Sequence, residues 1–259
     1  LFEVKEASLR DTQRVIAECG RLIKDDPRFA PAYAIRAHAL FQERNYNAAW
    51  PDCNRALELD PNNALGQRVK GYLLLAQGDS AGAVAAYDAG IRSLSRDFDY
   101  PRDFHNRARA HRVLGHLELA MADHERAVAL APEEGDVYAG RGITRRFLGD
   151  IDGAIADLTR AAELDRTWGV QCNLWIWEMR MLRNDPGDRE SSEIALNAAQ
   201  RARTEPLEDT YIQVCRGQMS ADQALAPTTS PHYLGYEHYY LGARARVEGR
   251  NQNAKTFFQ

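Results

Sequence analysis

The sequence has few of the features that mark membrane-spanning, disulfide-rich or nucleic-acid-coating proteins. Only 4 of its 259 residues are cysteines, and none of them forms a C-x-x-C pair. No run of about 18 apolar residues is present, so no transmembrane segment is expected. The 33 basic residues are outnumbered by 37 acidic ones, and this balance argues against a protein that coats nucleic acid.

Signatures of catalysis are also missing. The sequence has no G-x-S-x-G elbow, no phosphate-binding glycine loop and no H-E-x-x-H motif. His105, His111 and His116 lie close in sequence, but their spacings do not place them on one face of a helix at i, i+4. We therefore expect no catalytic residues, no metal site and no cofactor.

What the sequence does contain is an internal repeat of about 34 residues. Alanine or glycine recurs at one position in the first half of each repeat and at two positions in the second half. The three sets are Ala37, Gly71, Ala108 and Gly142; Ala49, Ala83, Ala120 and Ala154; and Ala56, Gly90, Ala127 and Ala161. Small residues at these places allow two helices to approach closely.

Turn signals separate the two halves of each repeat. Gly78, Gly115 and Gly149 can take the left-handed conformation that ends a helix. Asp79 and Asp150 follow directly and can cap the next helix. Prolines stop the second helix at Pro27, Pro61 and Pro132. Each repeat is therefore predicted to be a pair of antiparallel helices.

This pattern resembles the tetratricopeptide repeat, a helix–turn–helix unit that stacks into a superhelix. The resemblance implies an all-α fold, an α–α superhelix, with units at 30–63, 64–97, 101–134 and 135–168 and an insertion at 98–100. Residues 1–29 are predicted to be a partial unit. Within it, the spacing predicts a helix over 1–9 and a second helix over 11–27.

The second half of the chain is less regular. Residues 169–231 are predicted to be a degenerate helical region, with helices at 171–183, 188–203 and 210–216 and a proline-rich linker at 227–231. Residues 232–259 resume the repeat pattern. We expect this last unit to be incomplete, because the sequence stops at Gln259 before its second helix could finish.

Three stretches of the second half resemble a bacterial family of tetratricopeptide adaptor lipoproteins, the NlpI family. They are Leu174-Trp175-Ile176-Trp177, residues 214–220 and Tyr239-Tyr240-Leu241-Gly242. The resemblance implies an envelope-attached, periplasmic scaffold that brings a protease to cell-wall hydrolases. The lipid-bearing N-terminal cysteine of that family is not matched, since residue 1 is a leucine.

Arginine and aspartate recur sixteen residues apart in three units. The pairs are Arg36 with Asp52, Arg107 with Asp123, and Arg141 with Asp157. We interpret them as partly buried bridges between the two helices of a unit, bidentate where the geometry permits. The alternative is a ladder of cations that binds a ligand. The second unit has Lys70 and Ala86 at these places and is predicted to lack the bridge.

The inner face of the first helices is the candidate binding groove. By resemblance to the repeat family, it carries His38, Phe41, Arg68, Tyr72, Arg102, His105, Arg109, Arg112, Ile143 and Arg146. Arginine binds carboxylates through two donors, so this strip suits an acidic or C-terminal peptide. A solvated helix face is the alternative. The chaperone-type carboxylate clamp is not reproduced, since Ala34 and His38 occupy its first positions.

These observations predict a non-enzymatic scaffold that binds a protein or peptide. The leading hypothesis is a bacterial envelope adaptor. The first alternative is a cytoplasmic regulator or co-chaperone that binds a peptide tail. The second is a structural module that self-associates as a homodimer through its end helices, because residues 1–9 include Leu1, Phe2, Val4 and Leu9.

Overall fold

The computed structural model describes residues 2–93, 100–183, 188–202 and a few positions between 212 and 218. Within these residues the regular structure is helical, and none of it is a β-strand. The α-helices are α1 (Phe2–Asp25), α2 (Ala30–Gln42), α3 (Tyr46–Leu59), α4 (Ala64–Ala76), α5 (Ser80–Ser93), α6 (Pro101–Val113), α7 (Leu117–Leu130), α8 (Gly135–Leu148), α9 (Ile151–Leu164), α10 (Gly169–Arg183) and α11 (Asp188–Ala202). None of them is long and apolar enough to cross a membrane.

Consecutive helices pack as pairs. Helix α2 packs with α3, α4 with α5, α6 with α7, α8 with α9, and α10 with α11. The first four pairs lie within the sequence repeats at 30–63, 64–97, 101–134 and 135–168. The chain divides into two compact units, Leu1–Pro132 and Glu133–Gln259, so that α1–α7 belong to the first and α8–α11 to the second. This is the all-α architecture of helix pairs that the sequence predicted.

The N-terminal segment differs from the prediction of two helices. Helix α1 runs without a break from Phe2 to Asp25, across the boundary expected between residues 9 and 11. The physical reason lies in the sequence at that boundary, Leu9-Arg10-Asp11-Thr12, which has neither the glycine nor the proline that breaks the other units. Residues 1–9 therefore do not fold back to form a helix pair with the rest of α1.

The turns inside the repeats follow the predicted chemistry. Gly78, Gly115 and Gly149 have φ angles of +84°, +78° and +84°, in the left-handed region. The carboxylates of Asp79 and Asp150 accept hydrogen bonds from the backbone N–H groups three residues later, at 2.8 and 3.0 Å. The helices before Pro27, Pro61 and Pro132 end two residues ahead of each proline. The predicted roles of these glycines in ending a helix and of the two aspartates in capping the next helix are both confirmed.

The small repeat residues lie where two helices of a pair come closest. Ala37, Ala49, Ala108 and Ala120 are fully buried. A Cβ atom added to Gly71 would lie 2.7 Å from the ring of Tyr87, which is shorter than any normal contact. Close approach of the helices therefore depends on small side chains at these positions, as the repeat predicted.

Bidentate bridges join the two helices in three of the four repeats. The guanidinium of Arg36 donates Nε and Nη2 to the Asp52 carboxylate, both at 2.6 Å. The other two bridges have the same geometry: Arg107 with Asp123 at 2.8 and 2.6 Å, and Arg141 with Asp157 at 2.8 and 2.7 Å. Each aspartate is buried. The structural interpretation of these pairs is confirmed.

Arg107 also reaches into the preceding repeat. Its Nη1 donates to Asp88 on α5 at 2.6 Å, while Nε and Nη2 hold Asp123 on α7. The hydrogen bond to Asp123 is the main reason that the pKa of Arg107 is raised. One guanidinium thus links three helices and two neighbouring repeats.

The second compact unit has its own apolar core. Leu158 of α9, Trp177 of α10 and Leu196 of α11 lie in one cluster of buried side chains. Trp177 is buried and Trp175 only partly so, as expected for residues on opposite sides of a helix. Cys172 and Cys215 lie in the same cluster, and all four cysteines of the chain are buried free thiols.

The predicted helices at 171–183 and 188–203 correspond to α10 and α11. Of the short helix predicted over 210–216, the described positions 212–213 and 215–216 are helical. The linker at 227–231 and the last unit at 232–259 lie outside the described residues.

Loss of the Arg107 bridges should destabilise the fold. Arg107→Ala leaves the Asp123 carboxylate buried without its partner and frees Asp88, which we expect to lower the free energy of unfolding by about 2–4 kcal/mol. The matched control is Arg55→Ala, which removes an exposed ion pair to Glu58 and should leave the free energy of unfolding almost unchanged. Thermal melts followed by circular dichroism test this. Equal melting temperatures for the two variants would contradict it.

Arg44 occupies the turn position that is glycine in the other three repeats, and its φ is +59°. Because a side chain in the left-handed region is strained, Arg44→Gly should raise stability by about 0.5–1 kcal/mol, even though glycine makes the unfolded chain more flexible. Gly78→Ala, at the equivalent turn and with open space around its Cβ, should lower stability by about 1 kcal/mol. Opposite shifts in the melting temperature are expected, and shifts of the same sign would refute the strain argument.

Candidate protein-binding surface

The ten residues predicted to line a groove lie on the first helices of the four repeats, but not in one compact unit. Eight belong to the first unit, with His38 and Phe41 on α2, Arg68 and Tyr72 on α4, and Arg102, His105, Arg109 and Arg112 on α6. Ile143 and Arg146 belong to α8 of the second unit. A continuous surface is therefore described only for the first eight.

Aromatic side chains from α2 and α4 form a cluster on this surface. The rings of Phe41 and Tyr72 stack with centroids 5.2 Å apart and an interplanar angle of 27°. His38 lies 6.2 Å from Tyr72, and Tyr46 lies 5.4 Å from Phe41. The structure thus brings together His38, Phe41 and Tyr72, three of the predicted residues, and adds Tyr46, which the sequence reasoning missed.

Tyr87 supports the aromatic cluster from the second helix of its repeat. It is fully buried, and its ring meets that of Tyr72 edge-on with centroids 6.0 Å apart. The ring has room because residue 71 is a glycine, which was the sequence signal that could have revealed this contact. Burial raises the pKa of Tyr72 to about 12 and also raises the pKa of Tyr87, so both hydroxyl groups remain neutral near pH 7.

Arg68 is held by a carboxylate of the protein itself. Its Nε and Nη2 donate to Asp103 of α6 at 2.5 and 3.0 Å, and the ring of Tyr100 covers the guanidinium with a centroid distance of 3.9 Å. The Arg68 side chain is 12% exposed and that of Asp103 is 2% exposed. The two N–H donors that a ligand carboxylate would need are thus already bound to Asp103. Arg68 instead positions α4 against α6.

Arg146 has a similar role in the second compact unit. Its Nη2 donates to Glu178 of α10 at 2.8 Å, and Glu178 is almost completely buried. Ile143, the other predicted residue of α8, is partly buried one turn before Arg146. Both arginines, Arg68 and Arg146, therefore form bridges to the helix two places further along the chain.

The exposed arginines among the predicted groove residues lie on α6. Arg102 and Arg109 are exposed, and Nη1 of Arg109 donates to Asn106 at 3.0 Å. Arg112 is partly buried, and its pKa is lowered to about 10 by burial and then by the charge of Arg109. His105 is partly buried with its ring 5.3 Å from that of His124, which lies on α7.

The two surfaces, aromatic and basic, are neighbours. Burial lowers the pKa of His38, and the positive charges of Arg68 and Arg102 lower it further. The charges of the same two arginines also act on Tyr72, where they lower the pKa that burial raises. His38 is consequently neutral near pH 7, next to a cation at the start of α6. The first unit therefore presents apolar rings beside exposed guanidinium groups.

Comparison with known proteins identifies the repeat and the fold. Residues 30–63 match the family model of the tetratricopeptide repeat. No curated protein has a sequence that matches this chain.

Three solved structures are similar to this chain at low sequence identity. YrrB, described as a TPR protein with an unusual peptide-binding site, is 16% identical with a TM-score of 0.57 over 78% of this chain and 98% of its own. PilW, described as a widely conserved type IV pilus biogenesis factor, is 17% identical with a TM-score of 0.64 over 74% and 86%. PilF of Pseudomonas aeruginosa is 14% identical with a TM-score of 0.56 over 88% of each chain.

At these identities the solved structures establish the fold, and the family model establishes one repeat. Residues 30–63 are thus a tetratricopeptide repeat, and the chain has the fold of the tetratricopeptide repeat proteins.

Proposed function

We propose that this chain is a non-enzymatic adaptor that binds an acidic or C-terminal segment of another protein on the inner face of its first unit. Proteins with tetratricopeptide repeats are interaction scaffolds, and the solved structure of YrrB is described as having a peptide-binding site. The observation that carries the proposal for this chain is the exposure of Arg102 and Arg109 on α6, beside the ring cluster of Phe41 and Tyr72.

The chemistry of this surface favours a ligand that carries carboxylates. A guanidinium group accepts a carboxylate through two parallel hydrogen bonds, and Arg102 and Arg109 are seven residues apart on one helix. Arg68 and Arg146 contribute no such site, because Asp103 and Glu178 occupy them. Among the predicted groove residues, we therefore place the contacts to carboxylates at the exposed arginines of α6.

The rigid form of the surface supports the same role. The ring of Tyr72 packs against those of both Phe41 and Tyr87 before any ligand arrives. A preformed surface reduces the loss of side-chain freedom on association. It suits the capture of an extended peptide whose own ordering already costs free energy.

An envelope location for the adaptor is part of the proposal. It is supported by the resemblance of residues 174–177 and 214–220 to the NlpI adaptor family and by the similarity of the fold to that of PilW, a pilus biogenesis factor. The partner would then be an enzyme or an assembly component of the envelope, held by its acidic segment.

Charge reversal on α6 tests the proposed site. Arg102→Glu with Arg109→Glu should weaken capture of acidic partners at least about tenfold, because each lost charge pair is replaced by a repulsion. The readout is the set of proteins retained from a lysate, together with the affinity for a fluorescein-labelled twelve-residue glutamate-rich peptide with a free C-terminus. The amidated peptide and its glutamine analogue report the contributions of the terminal and side-chain carboxylates.

The matched control makes the same change in net charge through Arg28→Glu with Arg55→Glu. Both residues are exposed and lie in the same compact unit, away from the inner face. This variant should bind as the parent does. Equal losses in both double variants would indicate a net-charge effect only, and unchanged binding in both would place the site elsewhere. All variants should melt within a few degrees of the parent, since the replaced side chains are exposed.

A further inference from the structure

A cleft of about 380 Å³ lies in the second compact unit, between α9, the start of α10 and α11. Its lining includes two small side chains, Ala162 of α9 and Ala198 of α11. Arg166 and Arg201 also line it. Arg166 belongs to a single 3-10 turn, Arg166–Trp168, between α9 and α10, and Arg201 lies in the last turn of α11. Two arginines from different elements therefore meet at one cleft.

These two arginines are not engaged by the part of the fold that the structure describes. Both are exposed, and neither donates a hydrogen bond or forms an ion pair to a described residue. Every other arginine of this unit whose side chain is described donates to a carboxylate or a carbonyl group. The arginines that the described residues leave without a partner in this unit are thus the two at the cleft.

The repeat register gives Arg166 a position that is proline in other units. Pro61 and Pro132 occupy this position in the first and third repeats, and Pro27 occupies it in the partial unit. Proline has neither a charge nor a backbone N–H donor. The turns that carry a proline therefore offer an anion no donor at this position, whereas the turn of the fourth repeat offers a guanidinium group.

The turn does not need the arginine for its own geometry. The carboxylate of Asp165 accepts a hydrogen bond from the backbone N–H of Thr167 at 2.8 Å, and Asp60 accepts one from Asn62 at 3.1 Å in the first repeat. Asp165 is extended, with φ −137° and ψ 114°, which is the conformation preferred before a proline. Because the same turn forms with proline or with arginine, the Arg166 side chain is available for a ligand.

Two guanidinium groups at one cleft favour phosphate over carboxylate. A single guanidinium can satisfy both oxygens of a carboxylate, as Arg141 does with Asp157 in the same unit. A second guanidinium would then have no acceptor left. A phosphate ester presents three acceptor oxygens and up to two negative charges, so it can accept from both arginines at once.

The lining also contains one carboxylate, that of Glu163, which opposes an anion. Nη1 of Arg160 lies 3.4 Å from Oε2 of Glu163 and offsets part of its charge. The lining therefore keeps a positive balance. Its small alanine side chains leave room for a short organic group attached to the phosphate.

We propose that this cleft binds the phosphate group of a small organic ester, with Arg166 and Arg201 as the donors. The ester is either a free phosphate compound or the headgroup of a phospholipid, since both present the same group. The site is independent of the proposed peptide surface, because it lies in the second compact unit and uses no residue of α6.

Isothermal titration calorimetry of the full chain with glycerol 3-phosphate tests the site. Arg166→Pro, which restores the repeat proline, and Arg201→Gln should each raise the dissociation constant at least about tenfold, because a charge-assisted contact is lost. Glu163→Gln should lower the dissociation constant, because it removes the opposing carboxylate. The matched control is Arg28→Gln, an exposed arginine directly after a repeat proline in the first compact unit, which should bind as the parent does.

Sedimentation with phosphatidylcholine vesicles, with and without phosphatidylglycerol, distinguishes the two sources of phosphate. Binding to the anionic vesicles alone, lost in Arg166→Pro, identifies a lipid headgroup. Binding of glycerol 3-phosphate alone, with the same loss, identifies a free ester. The proposal is overturned if neither probe binds, if Arg166→Pro binds as the parent does, or if succinate binds more tightly than glycerol 3-phosphate. Circular dichroism melts confirm that each variant is folded.

Discussion

The fold depends on how buried arginines share their hydrogen bonds. In three repeats a guanidinium group holds the aspartate of its partner helix by two bonds, and the aspartate is almost out of contact with water. Such a pair is costly to bury but more costly to break, since one partner alone would remain as an uncompensated charge. The bridge therefore fixes the angle and register of two helices whose small residues would otherwise permit sliding.

The need to pair buried carboxylates with arginines also limits how many arginines of the inner face can bind a ligand. An arginine on the inner face is a ligand site only if the protein leaves its donors to solvent, and Arg68 and Arg146 instead satisfy buried carboxylates of later helices. These two arginines instead hold successive first helices in position. Of the arginines predicted on the inner face, Arg102 and Arg109 are the two that are exposed.

The helix pairs could be predicted from the sequence because their signals are local. Small residues recur at one period, and Gly78 or Gly149 fixes a turn without reference to the rest of the chain. The bridges were predictable for the same reason, because an arginine and an aspartate sixteen residues apart recur in three of the repeats. The partner of Arg68 was not, because Asp103 lies beyond the insertion at 98–100 and pairs only once the helices stack. The break expected after residue 9 failed because no residue there opposes a helix.

His38 lies between two features of the first unit, the cleft between α1 and α2 and the aromatic cluster of Phe41 and Tyr72. One side of α2 places it in the lining of the cleft beside Val15 and Ile35, and its ring also lies 6.2 Å from Tyr72 in the aromatic cluster. Burial lowers the pKa of His38, and its ring also lies close enough to Arg102 for that positive charge to lower the pKa further. A ligand that moves the ring of His38 would therefore change the surface that Phe41 and Tyr72 present beside Arg102.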